Sequence, residues 1–168
     1  MFAYGDHVHL VLDHAQRHGS SPKDVERSRR DHFTDESTNC TDPQLLGLAK
    51  PCPTGDNWCK MLGCRSCKRN LINMISNGTM LLMQVQPIQP GQTLVTAGGF
   101  EGELQDQSWS VKAGQAPCQL PFLKANHEEA DTRVWFHASK FSRAIIYSPD
   151  TDTFMIGLPQ FSNTTCLL

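Results

Sequence analysis

The chain has 168 residues, enough for one domain with a modest core, and carries 39% hydrophobic and 19% charged residues with a net charge of −2. That balance excludes a polycation, so nucleic acid would have to be held by a local basic patch or through metal ions. No apolar run approaches the roughly 20 residues that cross a bilayer, and Met1 to Leu12 has no basic start of the secretory kind. The seven cysteines are read as reduced thiols of an intracellular protein, nuclear or cytoplasmic.

In chain order, Val8-His-Leu-Val-Leu-Asp13 predicts a short buried strand that ends in a carboxylate, and His18-Gly-Ser-Ser a turn. Ser21-Pro22-Lys23-Asp24 then predicts a helix start, with Ser21 as N-cap, Pro22 at the first helical position and Asp24 completing a capping box. Lys23, Arg27 and Arg30 fall on one face of that helix. A solvated face would look the same. From Phe33 the chain is polar to about Pro53. A helix is expected from about Asn57 to Ser76 on Trp58, Met61, Leu62, Leu71, Ile72 and Ile75, with Asn77-Gly78 as its stop. Pro87 and Pro90-Gly91 make a further break.

Thr93–Ala97 predicts a strand stopped by Gly98-Gly99, followed by a loop. His127 to Ser142 reads as a helix with Ala130, Val134, Ala138 and Phe141 as its buried stripe. Arg143 to Ser148 reads as a strand running into Pro149-Asp150-Thr-Asp152, and Phe161 to Leu168 as an unstructured tail. Strand, helix, strand is the alternation of an α/β fold, a parallel sheet flanked by helices, whose crevice lies at the carboxyl ends of the strands.

Carboxylates fall where that crevice is expected. Asp13 ends one strand, Asp150 and Asp152 follow another, and Glu128, Glu129 and Asp131 open a helix, where negative charge is favoured. Converging carboxylates repel unless a cation neutralises them. An all-oxygen set suits Mg²⁺ or Mn²⁺, and two such ions suit phosphodiester displacement. Taken singly, the same acids read as helix caps and turn residues.

His127-Glu-Glu-Ala-Asp131, with Thr-Arg-Val-Trp-Phe-His-Ala138 and Ala144-Ile-Ile-Tyr-Ser-Pro-Asp-Thr-Asp152, resembles the acidic core of flap-endonuclease-like PIN domains. Leu10-Val-Leu-Asp13 with Lys23 and Glu26-Arg-Ser-Arg-Arg30 resembles a second segment of the same superfamily. The likeness is nearest to the asteroid-like proteins of invertebrate genomes, often found beside mobile elements. Lys68–Met74 and Val95–Phe100 also resemble that group. The resemblance implies a PIN-like sheet and metal-dependent phosphodiester hydrolysis with a nucleic-acid partner, DNA ahead of RNA, and no membrane. It implies Asp13, Glu129, Asp131, Asp150 and Asp152 as ligands of two Mg²⁺ or Mn²⁺ ions, with Glu128 as a further candidate. Lys23 with Arg27 or Arg30 would contact phosphate. Where the family has a glycine after the strand-end Asp, this chain has His14. The family's first Asp-bearing strand and its later elements are not written here, so the domain is expected to be incomplete at both ends.

Two other readings stand beside this one. The chain could be a catalytically inactive fragment or interaction module derived from a mobile element. It could also be a small zinc-binding module through Cys52, Cys59, Cys64 and Cys67, of which Cys64-x-x-Cys67 has a usual ligand spacing. His7, His9, His14 and His18 are read as incidental to the strand, and Trp135 as core.

Overall fold

The computed structural model describes residues 6–13, 58, 62, 65–85, 89–127, 129–159 and 165–166. Its main sheet has the order β1 (His7–Val11), β2 (Thr93–Ala97), β3 (Ser108–Lys112) and β4 (Cys118–Gln119). Between β1 and β2 runs the helix α1 (Arg65–Val85). After β4 come α2 (Ala130–Ala138), the two-residue β5 (Arg143–Ala144), α3 (Thr151–Gly157) and β6 (Thr165–Cys166).

The fold is α/β, as expected, but the sheet is mixed. β1 and β2 are parallel, whereas β2, β3 and β4 run antiparallel. The reason is loop length: the turns after β2 and β3 are too short for a crossover, and short connections give antiparallel neighbours. The span from Gly98 to His127, expected as a loop, contains this hairpin. The strand expected over Arg143–Ser148 is regular only at Arg143–Ala144, and it pairs with β6 in a separate two-stranded sheet. β5 therefore does not share a sheet edge with β1, which corrects the expectation that both strand ends lie on one edge. The tail expected to be unstructured supplies Thr165–Cys166 to that second sheet.

Side chains alternate across a strand, so the register divides the sheet into two faces. Val8, Leu94 and Val111 face one way, and Leu94 and Val111 pack against Val8, Met80 and Ala113. Each of these two buried side chains contributes about 1.5–3 kcal/mol relative to exposure. Met80 lies on α1 beyond Asn77-Gly78, the expected stop. The helix passes straight through that pair, with Gly78 buried inside it. A glycine ends a helix only where the chain turns left-handed, and Gly78 does not.

The opposite face carries α2. This helix is shorter than expected; of the predicted stripe Ala138 is buried and Val134 packs beside it, and Arg133, Trp135 and His137 are buried as well. The physical reason is that α2 is covered on two sides. Arg133 and His137, one turn apart, meet the sheet and the loop before β3. Trp135 and Ala138 pack with Ile146, and Trp135 Nε1 donates to the Thr153 carbonyl of α3 at 2.6 Å. Trp135 is core, as expected. Gly157 of α3 lies so close that a Cβ there would overlap the Trp135 indole.

Candidate functional site

The carboxyl end of β1 is built around two glycines. Gly98 and Gly99 end β2 with φ of +76° and +71°, conformations natural only to glycine. A Cβ at Gly98 would overlap the Leu12 carbonyl, and one at Gly99 would meet Ser76 and Ile72 of α1. The bare backbone lets Leu12 N–H reach the Ala97 carbonyl at 2.9 Å, and Gly99 N–H the Asp13 carbonyl at 3.1 Å. From α1, Asn73 donates to the Gly99 carbonyl and Ser76 to the Gly98 carbonyl, each at 3.1 Å. Asp13 is therefore held by backbone on its strand side.

Its side chain reaches α2. Asp13 Oδ1 accepts the Ala130 N–H at 3.0 Å, across 117 positions of sequence. Glu129 is the N-cap residue of α2, extended at φ −97° and ψ 138°, and its own side chain makes no cap. Asp13 thus satisfies one of the helix's orphan donors and places negative charge at the positive end of its dipole.

The other acids form a chain of hydrogen bonds. Thr153 Oγ1 donates to Asp131 Oδ1 at 2.7 Å, so toward Ser148 Oγ, 2.9 Å away, it accepts. Ser148 Oγ in turn accepts the Asp150 N–H at 3.1 Å. Asp150 caps α3, its Oδ1 accepting the Asp152 N–H at 3.0 Å. Asp13, Glu129 and Asp131 at the start of α2 are thereby linked to Asp150 and Asp152 at the start of α3. The links run in a line. Among the described residues no three His, Cys, Asp or Glu side chains are grouped so that they could hold a metal ion. Lys23, Arg27, Arg30 and Glu128 lie outside the described residues.

Of the candidate zinc ligands, Cys52, Cys59 and Cys64 also lie outside the described residues, while Cys67 is buried and disulfide-bonded. A disulfide sulfur has no thiolate to give a zinc ion, and the bond departs from the expectation of reduced thiols throughout. Cys118 is a free, exposed thiol.

A second cluster was not foreseen from the residues. Arg133, 0% exposed, donates to the carbonyls of Gln105, Asp106 and Gln107 at 3.1, 2.8 and 3.0 Å, and lies 3.4 Å from Ser108 Oγ. Burial lowers its pKa to about 10, with Asp106 opposing, so it stays charged at neutral pH. His137 Nδ1 lies 2.9 Å from His9 Nδ1, and His137 Nε2 lies 3.5 Å from Ser108 Oγ. Ser108 donates to the Leu123 carbonyl at 3.0 Å, so toward His137 it can only accept. That assigns the Nε2–H tautomer to His137 and the Nδ1–H tautomer to His9. His9 Nε2 is then a lone-pair acceptor, and it is buried with no hydrogen-bond partner among the described residues. Burial, reinforced by His7, lowers the His9 pKa to about 4. Burial, then His9, Arg133 and His127, lowers that of His137 to about 3. Both rings are neutral near pH 7 and share one proton between their Nδ1 atoms. His9 is not incidental to its strand. The signal available in the sequence was the i, i+4 spacing of Arg133 and His137 on a helix that also buries Trp135.

Comparison of the chain with protein-family models, with curated proteins and with solved structures gives no match.

Proposed function

We propose that this chain is a PIN-like domain of nuclease lineage, whose activity is metal-dependent phosphodiester hydrolysis at the acidic edge formed by Asp13, Glu129, Asp131, Asp150 and Asp152. The observation that carries this reading is the hydrogen-bonded path from Asp13 through the start of α2 to the start of α3, which gathers three acidic segments distant in sequence. The donor set is all oxygen, the chemistry preferred by Mg²⁺ and Mn²⁺. When bound, such an ion supplies charge neutralisation and an activated water. The described acids do not surround one point, so the donor chemistry fits while the spacing does not complete a site, and no step is assigned to the ion. The chain's own contribution is orientation: Asp13 is fixed by backbone and by α2, and Asp131 by Thr153.

The test is cleavage of branched or single-stranded DNA in Mg²⁺ or Mn²⁺, compared with an Asp150→Asn, Asp152→Asn double variant. Asparagine caps a helix about as well as aspartate, so the fold should survive the change. Cleavage is expected to need metal and to fall at least a hundredfold in the variant, on the scale of losing a preorganised electrostatic group. Equal cleavage by both proteins would exclude the reading.

The absence of three converging acids among the described residues, with Asp13 and Asp150 already serving as caps, favours a second reading: a catalytically inactive interaction module. Calorimetry separates the two. A ligand at a hundred times its Kd stabilises the fold by about 2.7 kcal/mol, and a melting temperature indifferent to both metals would favour the inactive module.

A further inference from the structure

At the end of the sheet away from Asp13, on the α2 face, the structure holds a pocket that the acidic edge does not use. The register sets His7, Thr93 and Lys112 in one row across β1, β2 and β3, and His9, Val95 and Ser110 in the next. These rows floor a cavity of about 320 Å³, within the range of small-molecule sites. Phe141, its ring 5.1 Å from that of His9, walls the β1 side. Leu120, Phe122 and Leu123, which follow β4, wall the other. Phe122 is left 56% exposed at this wall, a large aromatic surface of the kind that a ligand covers. The ionisable side chains of the lining are His7, His9, Lys112 and the Cys118 thiol, with no carboxylate among them.

We propose that this pocket binds a small organic anion with an aromatic body, the body lying over Val95 between the phenylalanine walls and the anionic group against Lys112. Apolar walls with a few polar groups supply affinity from the body and orientation from the charge. The absence of carboxylates from the described lining favours an anion over a cation. At the floor the Thr93 hydroxyl lines the pocket, while Ser110 Oγ already donates to the Cys118 carbonyl at 3.2 Å and His9 Nδ1 is engaged with His137. The site is separate from the acidic edge and does not rest on the nuclease reading.

The experiment is a titration of the full chain, in metal-free buffer, with phenylacetate and with its neutral amide phenylacetamide, followed by calorimetry and ligand-observed NMR. Saturable binding of phenylacetate is expected. Lys112→Ala should weaken phenylacetate about fivefold, the worth of one exposed ion pair, and leave phenylacetamide unchanged. Phe122→Ala, at an exposed position where the fold does not depend on the ring, should weaken both ligands about tenfold through lost apolar contact. Absence of saturable phenylacetate binding overturns the proposal, as does wild-type affinity for phenylacetate in either variant. The Asp150→Asn, Asp152→Asn protein should bind as the wild type does, so failure here and failure of the nuclease reading are distinguishable.

Discussion

On the α1 face of the sheet, Leu94 and Val111 pack against Val8, Met80 and Ala113; on the α2 face the same strands present His9 and Ser108 beside His137 and Arg133. The first face is held by non-directional burial, which tolerates exchange of one apolar shape for another. The second is held by directional hydrogen bonds, and removing the partner of a paired buried polar group costs about 1–3 kcal/mol. One sheet therefore has a face that is forgiving and a face that is specific. The specific face fixes α2, the helix that Asp13 caps.

The largest expected effect comes from breaking the polar face at its charge. Arg133→Met would leave the Gln105, Asp106 and Gln107 carbonyls without their donor, and should cost about 3–5 kcal/mol in urea denaturation. On the apolar face, Leu94→Ala should cost about 2–4 kcal/mol by the same measurement. A loss from Arg133→Met smaller than that from Leu94→Ala would reverse the comparison.

Acid sharpens it further, because only the polar face titrates. The folded pKa values of His9 and His137, about 4 and about 3, lie below the ordinary 6.5. Between those limits the unfolded chain binds more protons than the folded one, so stability rises with pH. The contribution of the pair is fully present above about pH 6.5 and is lost as pH falls toward 4 and then 3. The slope should reach about 1.4 kcal/mol per pH unit for each imidazole, read from urea midpoints between pH 7.5 and 5. A flat profile would mean that the pair is not buried neutral. The smallest effect is at the cap: Asp13→Ala should cost about 1 kcal/mol in metal-free buffer, with circular dichroism reporting any fraying of α2.

The apolar face was the legible one. Val8–Leu12 and Thr93–Ala97 announce strands because their cores are apolar, and Gly98-Gly99 announces the stop that their positive φ values require. The hairpin β3–β4 was hidden because Ser108 and Ser110 point into the protein on the polar face, so that its inward positions do not look buried. The stripe on α2 was incomplete for the same reason: Ala138 is buried as expected, but Arg133 and His137 are interior too, and hydropathy assigns such residues to solvent. At the acidic edge the sequence identified the Asp-bearing turns, but not that Asp13 would cap α2 across the fold. That bond depends on a contact spanning 117 positions, beyond any local pattern.

The same long-range contacts set an order in time. β2, β3 and β4 follow one another closely and can zip as a meander, whereas β1 must wait for β2, and its His9 for His137, 128 positions later. Closing such large loops costs entropy before any contact repays it, so β1 is expected to dock last, onto a meander already formed. In stopped-flow measurements Val8→Ala should then mainly speed unfolding, while Val111→Ala should slow folding. A folding rate slowed equally by both would place β1 in the nucleus instead.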